Sequence, residues 1–418
     1  MAAPNLKPDP SERTSKSPTL SPMMTLVIMA GLAELGYATL NISQVPVYLR
    51  DQLNYSESEV TAIGAIFLLA EGILRAPMGL LSDRFGRKRL MMLAPMLTLV
   101  TSLLSLVIHD KYGFMLLRAL DGLGAAMLWP TAFAAVADSV DKKNRAQAMS
   151  FLNLTYMVGV ASGPFVGGAA NDFFNDQQAA YYVISALFLT TTLVVYRWFP
   201  ADRPEQHAHD EDDPGSLSKI WSAIKLAPGF MLLSLTVFLG IGLVMLLIKL
   251  FAMDEYGFSE SKFGALLLVP AVMMGLASVP LGRLADKMGR PTAIHMGLLA
   301  SGLCLWIIAS QHHLAVMAIA GGITAIGFLL AFPAWMAEVS EVDPSRRGAI
   351  LGAVTMAQGI GSGIGAMVSG YLYQHVSIDF FGVAEFASRR TPFFGCALMI
   401  TLSALISFWV VKRRPHHE

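Results

Sequence analysis

Residues 79–89 read GLLSDRFGRKR, and a shortened copy, GRLADKMGR, recurs at residues 282–290. Each copy follows one long apolar run and precedes another. Glycine, aspartate, glycine and arginine keep the same relative places in both copies, which is too regular for chance. Two copies about half a chain apart predict an internally duplicated protein.

The duplication extends beyond these two segments, which we call the signature loops. At nearly the same offset, Trp129-Pro130 matches Phe332-Pro333, Arg145 matches Arg347, and residues 159–163 match residues 359–363. The offset drifts by only a few positions, as short loop changes would cause. The halves are therefore predicted to be parallel repeats.

Hydrophobic residues make up 54% of the 418-residue chain and charged residues 14%. Such a composition excludes a soluble globule. Apolar runs long enough to cross about 30 Å of hydrocarbon predict an all-α membrane protein with twelve transmembrane helices, arranged as two six-helix bundles in a pseudo-two-fold parallel repeat. The spans are expected near residues 23–47, 58–81, 90–108, 112–138, 145–171, 180–199, 227–252, 262–285, 291–310, 313–338, 347–372 and 391–411.

The polar segments between the spans predict the domain boundaries. We expect a disordered tail at 1–22, bundles at 23–199 and 227–411, a charged linker at 200–226 and a short tail at 412–418. Most Lys and Arg residues lie on the side of the signature loops and both termini, so that side is predicted to be cytoplasmic. The opposite loops hold Arg50, Lys111, Lys262, Arg389 and Arg390.

The signature loops resemble those of the major facilitator superfamily of transporters, in particular its proton-coupled exporters. The resemblance implies a latch at the membrane surface whose charges pair with the facing bundle. Alternatively, the loops hold only turns and orienting charges. The glycines allow close helix approach and tight turns. The gate residues are expected to be Gly79, Asp83, Arg84, Gly86, Arg87, Asp138, Gly282, Asp286, Gly289, Arg290 and Glu341, with Glu338 near Arg346 and Arg347.

Few ionisable side chains lie inside the spans, where a charge costs about 2.5–3.5 kcal/mol on insertion scales. Glu34 lies halfway along span 1, where exporters of the family carry acidic residues that bind protons and cationic substrates. A buried carboxyl group can take up a proton near neutral pH. Glu34 is therefore predicted to couple protons to transport, the alternative being a buried carboxyl hydrogen-bonded to a neighbouring helix.

Arg118 and Asp121 in span 4 resemble the arginine motif that the family associates with proton transfer, and the two side chains are within reach of an ion pair. Glu71 and Arg75, four apart in span 2, form a second predicted pair, either structural or in contact with substrate. Lys249, late in span 7, is expected to extend its charged end to water.

Span 5 contains Gly159, Gly163, Pro164, Gly167 and Gly168. In the family, this spacing is associated with proton-coupled antiporters and seldom with uptake carriers. A generic close-packing helix is the alternative, because glycine-rich spans are common.

By the same resemblance, spans 1, 4, 7 and 10 line a cavity between the halves. Aromatic and methionine side chains there suit an apolar or amphipathic solute. The expected lining residues are Glu34, Tyr37, Asn41, Gln44, Met127, Trp129, Met245, Phe328, Phe332 and Trp335.

The leading hypothesis is therefore a bacterial inner-membrane antiporter, not an enzyme, that exports a small organic or amphipathic compound by alternating access. Its partners would be the solute, protons and the bilayer. Apart from the proton gradient it would need no cofactor, metal, nucleic acid or second subunit. The alternatives are an uptake or facilitative carrier of an amino acid, organic acid or sugar, and a receptor or membrane enzyme on the same scaffold.

Overall fold

The computed structural model describes residues 20–141, 145–201, 222, 224–343, 346–377 and 387–411. Within these ranges the chain forms helices joined by short turns, and no strand occurs there. The proposed tails and most of the proposed linker fall outside the described residues. The boundaries of those segments stay predictions.

The described residues form twelve helical segments, labelled α1 to α12, which correspond in order to the predicted spans. The N-terminal half contains α1 (Pro22–Gln52), α2 (Glu57–Phe85), α3 (Arg87–Leu104), α4 (Lys111–Ser139), α5 (Arg145–Phe174) and α6 (Ala179–Trp198). The C-terminal half contains α7 (Pro228–Tyr256), α8 (Glu260–Met288), α9 (Arg290–Ser310), α10 (Leu314–Ser340), α11 (Arg347–His375) and α12 (Ala387–Val410).

Within the described ranges, nine helical segments are long and apolar enough to cross a membrane by length and composition. The other three, α3, α5 and α8, contain 18, 30 and 29 residues. The predicted all-α membrane fold is confirmed.

Local sequence signals fix several helix ends. Ser56 and Glu59 form a reciprocal capping box at the start of α2, and Ser259 caps α8 at the equivalent place in the second half. Gly86 and Gly289 end α2 and α8 with φ values of 94° and 82°. A side chain would strain both turns, so the glycine-dependent reversals expected in the signature loops are confirmed.

Two helices depart from regular α geometry. In α1, residues Thr39–Gln44 and Tyr48–Gln52 are π-helical. In α7, the helix ends at Met245 and restarts at Ile248. Widened turns and broken helices are frequent at functional sites of membrane transporters. Both irregular places lie toward the end of the molecule opposite the signature loops, which we call the far end.

The two halves pack along two seams, α2 against α11 and α5 against α8. A Cβ atom added at Gly72 of α2 would lie 2.6 Å from the Gly359 Cα atom of α11. Nearer the far end, one added at Gly264 of α8 would lie 2.3 Å from the Phe165 Cα atom of α5. At the opposite, loop end, Gly282 and Gly348 have open space around them. Among the described residues, the closest backbone approaches between the halves therefore lie along these seams toward the far end, whereas the two glycines near the signature loops face open space.

We expect Gly242→Ala to destabilise the C-terminal half. A Cβ atom at Gly242 of α7 would lie 2.2 Å from the carbonyl oxygen of Ser362 on α11. Overpacking of this kind costs about 1–3 kcal/mol. Thermal unfolding in detergent should therefore show a lower Tm for this variant.

The matched control is Gly322→Ala in α10, where no atom lies within 4 Å of the added methyl group. Alanine is a better helix former by about 1 kcal/mol, so the control should keep or raise the Tm. Equal melting of the two variants would contradict the assigned α7–α11 packing.

Candidate functional site

Glu34 of α1 lies between helices of the N-terminal half and is 6% exposed. It faces α5, where a Cβ atom added at Gly159 would lie 2.7 Å from the Glu34 Cβ atom. Tyr156, also on α5, lies close enough to the Glu34 carboxyl group to interact with it electrostatically. The glycine thus lets the α5 backbone approach the acid, and the tyrosine gives it a polar partner.

Glu71 and Arg75 of α2 form the ion pair expected from their spacing, with side chains 15% and 31% exposed. Both charges are close enough to act on Glu34. The Glu71–Arg75 pair is neutral in sum, so ionised Glu34 gives the group a net negative charge and protonated Glu34 gives it none. Whether the pair also contacts substrate stays a prediction.

Trp129 of α4 completes this group of side chains. Its ring meets that of Tyr156 edge to face, with centroids 4.8 Å apart. We call Glu34, Glu71, Arg75, Trp129 and Tyr156 the Glu34 cluster; its members come from α1, α2, α4 and α5. Tyr156 was missed by sequence reasoning, although it lies three residues before the span 5 glycine motif.

Arg118 and Asp121 form the predicted ion pair on α4, and both side chains are 0% exposed. Arg118 also donates to Asn41 Oδ1 at 3.1 Å, and the hydroxyl group of Thr101 donates to Asp121. Asn41 in turn donates to the carbonyl oxygen of Tyr37 at 2.9 Å. The network ties α4 to α3 and to the π-helical stretch of α1. Its role in proton coupling stays a prediction.

Other residues assigned to the cavity are buried in helix packing. The Tyr37 hydroxyl group shares a hydrogen bond with Thr98 at 3.1 Å, and its ring packs on Phe188. Gln44 is fully buried at the far end, whereas Met127 is half-buried. Glu34 belongs to the Glu34 cluster, whereas Tyr37, Asn41 and Gln44 of α1 make their described contacts elsewhere. Substrate contact by the others stays a prediction.

The span 5 motif positions α5 against two different helices. Added Cβ atoms at Gly163 and Gly167 would lie 2.4 Å from Ala38 and 2.6 Å from Ser43, both on α1. At Gly168 the near neighbour is the Glu260 backbone on α8, at 2.4 Å. The helix continues through Pro164. The motif therefore packs α5 onto the Glu34 face of α1 and onto the other half.

Aromatic side chains form a corresponding wall in the C-terminal half. Phe328 and Phe332 of α10 stack with centroids 5.4 Å apart, and Trp335 meets Phe332 edge to face at 5.8 Å. Phe238 of α7, which sequence reasoning missed, lies 6.3 Å from Phe332. Met245 is half-buried at the α7 break. These contacts bring together the three aromatic residues of α10 that the family resemblance assigned to the cavity.

The signature-loop arginines bind acidic residues at equivalent places in the two halves. Arg87 pairs with Asp138 in the first half, and Arg290 pairs with Glu341 at 2.5 Å in the second, with Glu338 at 4.0 Å. Each of these pairs lies within its own half. The resemblance implied pairing with the facing bundle, and that pairing stays a prediction.

The remaining gate residues differ in what the structure shows. Arg84 is exposed, and a Cβ atom added at Gly79 would lie 3.4 Å from the Pro130 Cβ atom of α4. The close approach expected at Gly282 is not seen within the described part of the chain, where no atom lies within 4 Å of an added Cβ atom. The side chains of Asp83 and Asp286 lie outside the described part of the chain.

Lys249 is the clearest departure from expectation. The predicted extension to water is wrong, because the side chain is 0% exposed and its amine donates to Glu260 at 2.6 Å. The break in α7 turns Lys249 inward. Sequence reasoning missed Glu260 because it lay in the loop predicted between residues 252 and 262, whereas the structure begins α8 at Glu260. Within the described residues, no group of three His, Cys, Asp or Glu side chains is placed to hold a metal ion.

The chain is similar in sequence to three proteins over most of its length. Multidrug resistance protein 1 of Bacillus subtilis is 22% identical over 94% of this chain and 97% of its own length. Quinolone resistance protein NorA of Staphylococcus aureus is 22% identical over 79% of this chain and 85% of its own. An uncharacterised MFS-type transporter of Methanocaldococcus jannaschii is 23% identical over 82% of this chain and 88% of its own.

Solved structures share the fold at lower sequence identity. The nucleoside transporter NupG superposes with a TM-score of 0.78 at 12% identity, covering 94% of this chain and all of its own. A bacterial homologue of the lysosomal transporter Spinster, described as inward-facing and unoccupied, gives 0.76 at 16%, covering 93% and 96%. A D-xylose-proton symporter gives 0.74 at 17%, covering 93% and 98%.

The family model for the Major Facilitator Superfamily matches the chain twice, over residues 26–248 and 230–418. The two matches correspond to the two halves that carry the signature loops. With its helical halves and their shared fold, this integral multi-pass membrane protein belongs to the Major Facilitator Superfamily of transporters.

Proposed function

We propose that this protein is a secondary active antiporter that exports a small amphipathic organic compound in exchange for protons, by alternating access. The observation that carries the proposal is the position of Glu34, a buried carboxyl group beside a neutral ion pair and an aromatic ring. The names of the relatives in Bacillus subtilis and Staphylococcus aureus, which denote drug resistance, support export.

The coupling follows from the charge of the Glu34 cluster. With Glu34 ionised, the cluster is negative and attracts a cationic or polarised solute, while the aromatic wall of the other half receives its apolar part. With Glu34 protonated, the cluster is neutral and the attraction is lost. A proton and a cationic solute therefore exclude each other from one carboxyl group, and each is carried when the halves rock.

Glu34 is better placed for this exchange than Asp121. The Asp121 carboxylate already accepts hydrogen bonds from Arg118 and Thr101, and none of its side chain is exposed. Its compensating charge lies on the same helix and moves with it. Arg118 and Asp121 would therefore act as positioning residues that hold Asn41 and α1 in place.

Uptake of a metabolite is the alternative within transport, and the shared fold permits it, as the nucleoside and xylose carriers illustrate. Fold alone does not determine substrate or direction. The packing of the span 5 glycines against the Glu34 face of α1 favours the antiporter. A transport-dead receptor or an enzyme on this scaffold would not need Glu34 beside the Glu71–Arg75 pair.

The proposal includes the setting of the protein. We place it in a bacterial inner membrane, with both termini and the signature loops on the cytoplasmic side, because Lys and Arg concentrate there. The structure would then represent the inward-open state. The proton gradient would be the driving force, with one chain as the working unit.

Glu34→Gln should abolish solute-driven proton movement. Glutamine keeps the size and polarity of the side chain but cannot exchange a proton. The measurement is proton flux in liposomes with a trapped pH dye, on addition of lipophilic cations, neutral drugs or metabolites. Tyr156→Phe should retain flux at a reduced rate, because the carboxyl group remains and loses only a polar partner.

Glu59→Gln is the matched control, since Glu59 caps α2 at the far end and is partly exposed. It should leave the flux near that of the native protein. Flux that persists in Glu34→Gln would move the coupling to another group, and solute movement without protons would favour a facilitative carrier.

Asp121→Asn should lower thermal stability more than Glu71→Gln. The first variant leaves Arg118 buried without its counter-charge, and breaking such a pair costs about 3–5 kcal/mol. The second leaves Arg75, which is 31% exposed and partly screened. Thermal unfolding in detergent provides the comparison. A similar Tm for both variants would show that Asp121 is not needed to neutralise Arg118.

Phe332→Ala should raise the half-saturating concentration for aromatic solutes by about tenfold, since alanine removes contacts worth roughly 1.5–3 kcal/mol of burial. The effect should be smaller for compact solutes. The control is Phe151→Ala, because Phe151 is 52% exposed on the outside of α5. An equal change in both variants would exclude the α10 aromatic residues from the binding surface.

A further inference from the structure

Five polar side chains form a closed ring where the halves meet at the far end. Lys249 of α7 donates to the carbonyl and hydroxyl oxygens of Ser43 at 3.1 and 2.8 Å, and to Glu260 of α8 at 2.6 Å. Asn171 of α5 donates to the Glu260 carboxylate at 3.3 Å and to Gln44 at 2.9 Å. Ser43 and Gln44 are neighbours in α1, which closes the ring.

The ring is shared by the two halves of the molecule. Ser43, Gln44 and Asn171 belong to the N-terminal half, and Lys249 and Glu260 to the C-terminal half. The Lys249–Ser43 and Asn171–Glu260 hydrogen bonds therefore cross the seam, whereas the Lys249–Glu260 ion pair lies within one half. Separation of the halves would break the crossing bonds and leave the ion pair intact.

Three local features of the helices bring the five side chains of the ring together. The first π-helical stretch of α1 includes Ser43 and Gln44, the break in α7 precedes Lys249, and Ser259 caps α8 directly before Glu260. Outside the ring, Asn171 and Glu260 also line a polar cavity of about 480 Å³. All five ring side chains are nevertheless buried. The ring is thus a buried polar layer within the seam.

We propose that this ring is the far-end lock of the transport cycle, in which the buried Lys249–Glu260 pair positions α7 and α8 to hold α1 and α5. The lock rests on alternating access but not on the identity of the solute or the coupling ion. Loss of either charge leaves the other uncompensated in the sealed state, and far-end opening lets water solvate it. Loss of both charges removes that bias.

The test measures far-end opening at a distance from the ring. Thr61 of α2 is fully buried and faces Gly370 of α11 across the other seam, where an added Gly370 Cβ atom would lie 2.2 Å from the Thr61 hydroxyl oxygen. Thr61→Cys is the reporter, labelled by a maleimide in nanodiscs, where both faces are accessible. Native Cys304 and Cys396 are buried, and the chain without the reporter gives the background.

Lys249→Met should raise the labelling rate roughly tenfold or more, given what unpaired buried charges cost. The double variant with Glu260→Gln should label at a rate between those of the native chain and Lys249→Met, as expected for coupled charges. Arg50→Gln is the control. It removes the partly exposed pair with Asp254, 2.9 Å long, and should change labelling by less than about threefold.

Asn171→Asp tests the crossing bonds with the ion pair intact, and it decides the matter if Lys249→Met does not fold. Aspartate keeps the oxygen that accepts from Ala180 N and sets a carboxyl group against Glu260. Labelling should rise at pH 8. Native-like labelling of Lys249→Met or of Asn171→Asp would overturn the lock. Because no solute or proton gradient is present, failure of the proposed antiport would not alter this result.

Discussion

A charged side chain between membrane helices has little water to solvate it, so the fold must supply a partner at each such place. Arg118 and Asp121 meet this constraint inside the N-terminal half, and Lys249 and Glu260 meet it at the seam. Glu34 differs because it faces a pair that is already neutral. In the proposed antiport its charge is the one that a proton or a solute changes, so the same constraint that holds the other charges fixed would leave Glu34 available for coupling.

The two halves contribute different chemistry to this arrangement. The N-terminal half brings Glu34, Glu71 and Arg75 together, whereas the equivalent half brings Phe238, Phe328 and Phe332 together. Rocking of two near-rigid bundles would change the distance between a charged surface and an apolar one. The two halves are therefore alike in their helical fold but differ in the side chains that they contribute to the candidate site.

The fold was largely predictable, because apolar runs, capping serines and the turn glycines Gly86 and Gly289 act locally. The Arg118–Asp121 and Glu71–Arg75 pairs were predictable for the same reason, since helical spacing decides them. The ring was not. Glu260 lay inside a predicted loop, and no proline or glycine stands at the break in α7 between Met245 and Ile248. The hydrogen bonds of the ring depend on how the two halves pack together. Local sequence patterns do not determine that packing.

A polar ring suits a seam that must open. Association of helices inside a membrane gains little from burial of apolar surface, so a seal made of leucine would rely on packing alone. Hydrogen bonds such as those of Ser43 and Asn171 can be exchanged for bonds to water when the far end opens, which keeps the free-energy difference between the two states small. In the proposed lock, Lys249 and Glu260 stay paired when the far end opens, because both belong to the C-terminal half. In the proposed lock, the free energy of the seal then depends on the hydrogen bonds that cross between the halves. The two charges are neutralised by a pair that does not need to separate.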